Sequence, residues 1–225
     1  MKKENLRVVI VGAGSSYTPE LIEGLSEHRD VLPVKEVVLV DINEERLKIM
    51  EGFVKRFCQH LDYHVDVWST DSRKEAFVGA DFIACQIRVG GNKQRIFDEK
   101  IPLKYGVIGQ ETTGVGGMFN ALRTIPVMIE IAKDVEKYCP DAWIVNYSNP
   151  TGLVTEAVLK VCNVKMAGLC AGGMRPRWWA EEALNVKEES IYYDYIGLNH
   201  MNFTYNMTID GHPITDEQFN EVAKK

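Results

Sequence analysis

The stretch Val8-Val-Ile-Val-Gly12-Ala-Gly14-Ser-Ser-Tyr-Thr-Pro-Glu-Leu21 decides the fold of this chain. A short β-branched run is cut by Gly-x-Gly, and a helical pattern opens near Pro19. The apolar run is too short for the hydrophobic region of a signal peptide, so it reads as a first β-strand. A strand, a tight glycine turn and a helix aim backbone N–H groups at one point. That point also receives the positive end of the helix dipole, which suits a pyrophosphate. Tyr17 stands where the third glycine of GxGxxG belongs, so two readings stay open: a phosphate cradle, or a plain strand-to-helix connector.

The alternation continues along the chain. Strands are expected at Arg7–Val11, Glu36–Asp41, Val65–Ser69, Asp81–Ile87, Ala142–Asn146 and Lys165–Leu169. Helices are expected at Pro19–Glu27, Glu44–His60, Phe119–Tyr138 and Gly152–Val161. Short strands joined by crossover helices predict an α/β fold, a doubly wound parallel Rossmann-type sheet. After about residue 170 the texture changes to paired strands, Tyr192–Asn199 and Met201–Ile209, a turn at Asp210-Gly211 and a polar helix over Thr215–Lys225. The expected organisation is a dinucleotide-binding domain over residues 1–170, then the beginning of an incomplete mixed α+β substrate and metal domain over 171–225.

Composition narrows the partners. With 225 residues, 45% hydrophobic and 26% charged, the chain is an ordinary globular sequence. A formal charge of −6 argues against nucleic acid or an anionic membrane surface. No apolar run approaches the roughly 20 residues that span a bilayer. Five cysteines without a paired framework fit a reduced, cytoplasmic setting.

Asp41 ends the second expected strand, where a carboxylate can accept hydrogen bonds from an adenosine ribose. It would favour NAD over NADP by repelling a 2′-phosphate. Its local alternative is to help cap the helix that begins at Glu44. Beyond the fourth strand lies Ile87-Arg88-Val-Gly90-Gly91-Asn-Lys-Gln-Arg95-Ile-Phe-Asp98-Glu99. Arg88 and Arg95 are natural clamps for a phosphate or carboxylate, or partners for Asp98, Glu99 or another surface carboxylate. Gly109-Gln-Glu111-Thr-Thr-Gly114-Val-Gly116-Gly117 carries too many glycines for a comfortable helix and reads as a ligand loop or connector. Asn146 and Asn149 end the fifth strand, where two amides can serve cofactor and sugar hydroxyls or simply form an Asn-Pro turn. Cys170 follows the sixth strand and reads as a buried thiol or a metal ligand, with His200 as a second ligand of suitable type. Cys58-x-His60-x₃-His64 has zinc-like spacing but sits where a helix gives way to a strand. Trp178 and Trp179 could face sugar or be buried.

The stretches VVIVGAGSSYTPEL, IRVGGNKQR, DEKIPLKYGVIGQETTGVGG, NYSNPTGLVTEAV and YIGLNHMNF resemble glycoside hydrolase family 4, the NAD- and metal-dependent glycosidases. The likeness runs from residue 8 to about 203 and is strongest to the branch acting on 6-phosphoglucosides. It implies that Gly12, Gly14, Ser15 and Ser16 cradle the NAD pyrophosphate, with Asp41 and Asn146 also on the cofactor side. It implies Arg95 on the sugar phosphate, Asn149 on sugar hydroxyls, and Cys170 and His200 on a divalent metal, usually Mn²⁺. Glu111 would support the basicity of a tyrosine base whose matching position lies beyond residue 225. The implied reaction oxidises the sugar at C3 with NAD⁺, removes the C2 proton, eliminates the aglycone, adds water and returns the hydride, outside the usual two-carboxylate scheme. A homo-oligomer, dimer or tetramer, is the expected assembly. The residue after the cysteine, Asn or Asp in the two phosphoglucosidase branches, is Ala171 here. Two rival readings are a 2-hydroxy-acid dehydrogenase of the lactate or malate type and a catalytically silent NAD- or sugar-phosphate-binding protein.

Overall fold

The computed structural model describes residues 5–198 and 200–225. Two compact units divide the chain, the first reaching to Leu169 and the second running over Cys170–Lys225.

The first unit contains β1 (Leu6–Val11), α1 (Thr18–Glu27), β2 (Val34–Val40), α2 (Glu44–His60), β3 (Asp66–Thr70) and α3 (Arg73–Phe77). It continues through β4 (Phe82–Cys85), α4 (Gly91–Leu103), α5 (Gly114–Tyr138), β5 (Trp143–Asn146), α6 (Thr151–Val161) and β6 (Lys165–Gly168). The sheet has six strands in the order β3-β2-β1-β4-β5-β6, and every neighbouring pair is parallel. A sheet covered on both faces needs apolar residues on both, which is why β1 and β2 read as unbroken runs. The twofold period of a strand then divides them. Val8, Ile10, Val37 and Leu39 pack with Ile22, Leu25, Leu47 and Val54 of α1 and α2. Val9, Val11, Val38 and Val40 pack with Phe77, Met128, Ile131, Val135, Val154 and Val158 of α3, α5 and α6.

Beyond the unexpected α3 and, in the second unit, the unexpected helix Arg175–Leu184 and strand His212–Pro213, three differences from the expected elements have local causes. The fourth strand ends at Cys85 rather than Ile87, because the Ile87 N–H donates to Ser148 Oγ at 2.9 Å instead of continuing the ladder. Helix α5 begins at Gly114, not Phe119, so the glycine run belongs partly to a helix after all. Gln110 Oε1 accepts from Thr112 N and Thr113 N, folding the preceding loop onto the helix start. A Cβ on Gly116 or Gly117 would stand 2.2 Å from Gln110 O or 2.3 Å from Thr112 O, so glycine is what lets the loop approach. Residues 91–103, where no helix was expected, form α4. Its inward face is polar, with Asp98 buried while Ile96, Phe97 and Ile101 face outward, so no apolar stripe announces the helix.

The second unit contains α7 (Arg175–Leu184), β7 (Ile191–Leu198), β8 (Met201–Ile209), β9 (His212–Pro213) and α8 (Asp216–Ala223). Its antiparallel sheet has the order β7-β8-β9, and a small core gathers Ala180, Ile191 and Val222. Thr215 and Gln218 form a capping box that starts α8. The hairpin agrees with the expected strands, except that Asn199 lies outside the described residues. Among the described residues, no helix is long and apolar enough to cross a membrane.

Candidate functional site

The turn after β1 is held from three sides. Gly12 N and Ala13 N both donate to Val40 O, tying the turn to the end of β2. Gly14 N donates to Asp41 Oδ2 at 2.8 Å. From β4's exit, the Gln86 amide donates to Thr18 Oγ1 at 2.7 Å, and Thr18 donates in turn to Ala13 O at 2.7 Å. Gly12 adopts φ +85°, and a Cβ there would meet Gln86 O at 2.9 Å. No side chain caps α1, whose first turn contains Pro19, so that end of the helix presents backbone rather than a capping hydroxyl. Ser15 is partly exposed and Ser16 exposed at this turn.

Asp41 does not cap α2 itself. Asn43 does, accepting from Arg46 N at 2.9 Å, while Asp41 Oδ1 accepts from Asn43 N at 2.9 Å. Each Asp41 oxygen keeps a second acceptor direction for a ligand hydroxyl.

Arg88, one residue past Ile87, pairs with Glu111. Glu111 is also 3.4 Å from Arg95 Nη1, and Arg95 Nε donates to Glu99 at 2.8 Å. The Glu99 hydrogen bond is the largest influence raising the Arg95 pKa, with the charge of Glu111 adding to it. Glu111 is thus nearly buried between two guanidiniums. Asp98, a partner considered for Arg88 or Arg95, instead binds Arg123 through both oxygens, with Arg123 Nη1 at 2.8 Å from Oδ1. That pair links α4 to α5, and nothing in a 25-residue separation announces it. Tyr17, at the start of α1, and Tyr147, just past β5, meet edge to face at 5.9 Å between ring centres and 73°. Aromatic residues so far apart in sequence could have been paired only by knowing the strand order.

Asn146 is fully buried and its amide closes a loop, donating to Ser148 O and accepting from Ser148 N. Its side chain therefore shapes the strand tip. Asn149 is partly exposed, precedes a cis Pro150 and accepts from Thr151 Oγ1.

Of the remaining candidates, Cys170, His200, Trp178 and Trp179 lie in the second unit and the Cys58-His60-His64 group in the first. Cys170 is exposed. His200 is exposed with φ 64°, a left-handed backbone uncommon outside glycine. Among the described residues no three His, Cys, Asp or Glu side chains cluster as a metal site. Cys58 is buried in the core beside α1 and α2, and His64 is exposed, so the Cys58-His60-His64 spacing marks a helix end. Trp178 and Trp179 on α7 are both exposed rather than buried.

The model of the "Family 4 glycosyl hydrolase" family matches residues 7–177. A "Probable 6-phospho-beta-glucosidase" of Bacillus subtilis is 46% identical over 217 residues, covering 95% of this chain and 49% of that protein. A 6-phospho-alpha-glucosidase from gut microorganisms, solved with NAD and glucose 6-phosphate, superposes with TM-score 0.89 at 38% identity, over 99% of this chain and 52% of that one. The 6-phospho-beta-glucosidase of Thermotoga maritima, solved with manganese, NAD⁺ and glucose 6-phosphate, gives TM-score 0.88 at 39% identity, over 98% and 52%. The chain spans about half the length of the curated relatives it matches. On the match to residues 7–177 and the shared fold, this chain belongs to glycoside hydrolase family 4.

Proposed function

We propose that this chain carries the nucleotide, phosphate and metal-binding part of an NAD-dependent 6-phosphoglucosidase. The observation that supports it most is the Arg88–Glu111–Arg95 network beside the Gly12 turn, with Gln86 and Ile87 joining the two. In this reading the Gly12–Ser16 turn receives the pyrophosphate, Asp41 the ribose and Asn146 the shape of the cofactor side. Arg95 grips the sugar 6-phosphate and Asn149 a sugar hydroxyl, while Glu111 steadies a base supplied elsewhere. The first unit is then the NAD-binding domain over about residues 1–170, and residues 171–225 begin the metal and substrate side.

The residues fit both groups. A turn that excludes a side chain at Gly12, with a carboxylate at the end of β2, suits a dinucleotide. An exposed thiol and an exposed imidazole leave positions open for substrate oxygens and suit a divalent ion held loosely. When bound, NAD supplies a hydride acceptor and Mn²⁺ acidifies the adjacent C–H of the sugar. Ala171 offers no side-chain proton to the departing aglycone, so leaving-group assistance falls to water or another residue. A protein that binds without turning over is the outcome against which the test is set. Five cysteines without a paired framework agree with a reduced, cytoplasmic setting.

The test is incubation with NAD⁺, Mn²⁺ and the p-nitrophenyl 6-phosphoglucosides of both anomers. Nitrophenol release without net NADH is expected. Silence on both, with tight NAD binding, would replace the glycosidase by the binding protein, and stoichiometric NADH would replace it by a dehydrogenase. Cys170→Ser should weaken Mn²⁺ binding, read by titration, and an unchanged affinity would remove Cys170 from the site.

A further inference from the structure

The clamp that should take the phosphate is already engaged. Arg95 offers Nε to Glu99 one helical turn along α4, and Nη1 to Glu111. Arg88 is taken by Glu111, and Arg123 by Asp98. Each of these three guanidiniums therefore already faces a carboxylate that a dianion would have to displace or share. The edge formed by Nε and a terminal nitrogen is one of those a phosphate would engage in a bidentate grip, and Glu99 holds the Nε end of it.

The two carboxylates on Arg95 are unequal. Glu111 is only 13% exposed and is fixed by two arginines, whereas Glu99 is 38% exposed and has Arg95 as its ion-pair partner. Glu99 can swing to solvent at small cost, as exposed i,i+4 pairs do. We propose that Glu99 is a specificity-determining residue that holds Arg95 in position and competes with the substrate phosphate for its Nε edge, acting as a brake on phosphate affinity and an aid to release. The inference rests on the reading of Arg95 as the phosphate clamp.

The measurement is a calorimetric or NMR titration of the chain with glucose 6-phosphate, and with glucose as the uncharged control. Glu99→Gln should bind glucose 6-phosphate roughly two- to fivefold more tightly, the range an exposed ion pair commands. Its glucose binding should not change. A residue that merely braced the helix would lower affinity and the unfolding midpoint together, and would not tighten anything. Arg95→Gln separates the two ideas. If it abolishes glucose 6-phosphate binding while Glu99→Gln is unchanged or weaker, the brake is wrong and the clamp stands. If Arg95→Gln binds like the wild type, the clamp reading falls and the brake with it.

Discussion

Asp41 shows how little separates a structural residue from a binding one. Both its oxygens accept backbone N–H groups, from Gly14 at 2.8 Å and from Asn43 at 2.9 Å, so it ties the phosphate turn to the start of α2. Removing it strands two donors at a part-buried turn. Asp41→Ala should lower stability by about 1–3 kcal/mol in urea unfolding, and NAD affinity should fall with it. An unchanged urea midpoint would show that the turn holds without its carboxylate. Gly12→Ala adds a left-handed penalty of roughly 1–2 kcal/mol to the clash with Gln86 O, and should be the more damaging of the two. At this scale the sequence was informative. Glycine and aspartate at the ends of neighbouring strands are types chosen for backbone reach, and both stand at the turn. What could not be read was Asn146, whose amide is spent inside the loop and whose burial depends on Ser148 and the β4 exit.

Among the elements, α4 is tied to α5 through a buried ion pair. Asp98 is buried, and its two bonds to Arg123 are a principal joint between the helices. Breaking one half leaves an uncompensated charge, so Asp98→Ala should cost about 3 kcal/mol. The double substitution Asp98→Leu with Arg123→Met should cost less than Asp98→Ala alone, since neither charge is then stranded. Equilibrium denaturation of the set decides this, and a double variant worse than the single would show the pair to be net stabilising. This arrangement explains the uneven legibility of the elements. Strands and the helices α1, α2 and α6 carry apolar periodicity because they cover a sheet, and their limits were readable to within a residue or two. Helix α4 turns a carboxylate inward and so escaped a reading built on hydrophobic period, whereas α5 was expected from Phe119 to Tyr138 and only its start, on glycines selected by a loop folded against it, was missed.

For the molecule as a whole, burial sets the chemistry of the cysteines. Desolvation raises Cys85 to about 12 and Cys139 to about 11, from an ordinary value of 9.0. Burial also raises Cys58 and Cys162, and lifts Tyr63 from 10.0 to about 12. In the folded state these groups hold their protons when the unfolded chain has begun to lose them. Their contribution is therefore complete below pH 9 and is lost as pH rises through the folded values. Urea unfolding at a pH series should show stability level to about pH 9 and falling toward pH 12; a rise across that window would contradict the burial. Iodoacetamide on the folded protein at pH 8 should modify Cys170 first, with the four buried thiols protected until denaturant is added. Mass spectrometry of the tryptic peptides reads the order.

The division of each central strand between two cores has an energetic consequence. Val9 and Ile10 are covalent neighbours, yet they share no packing cluster, while Val9 and its partner Val38 across the β1–β2 register sit in the same one. Truncations at Val9 and Ile10 should add, within about 0.5 kcal/mol, and those at Val9 and Val38 should not. In a thermodynamic cycle, distance along the chain would count for less than which side of the sheet a side chain occupies.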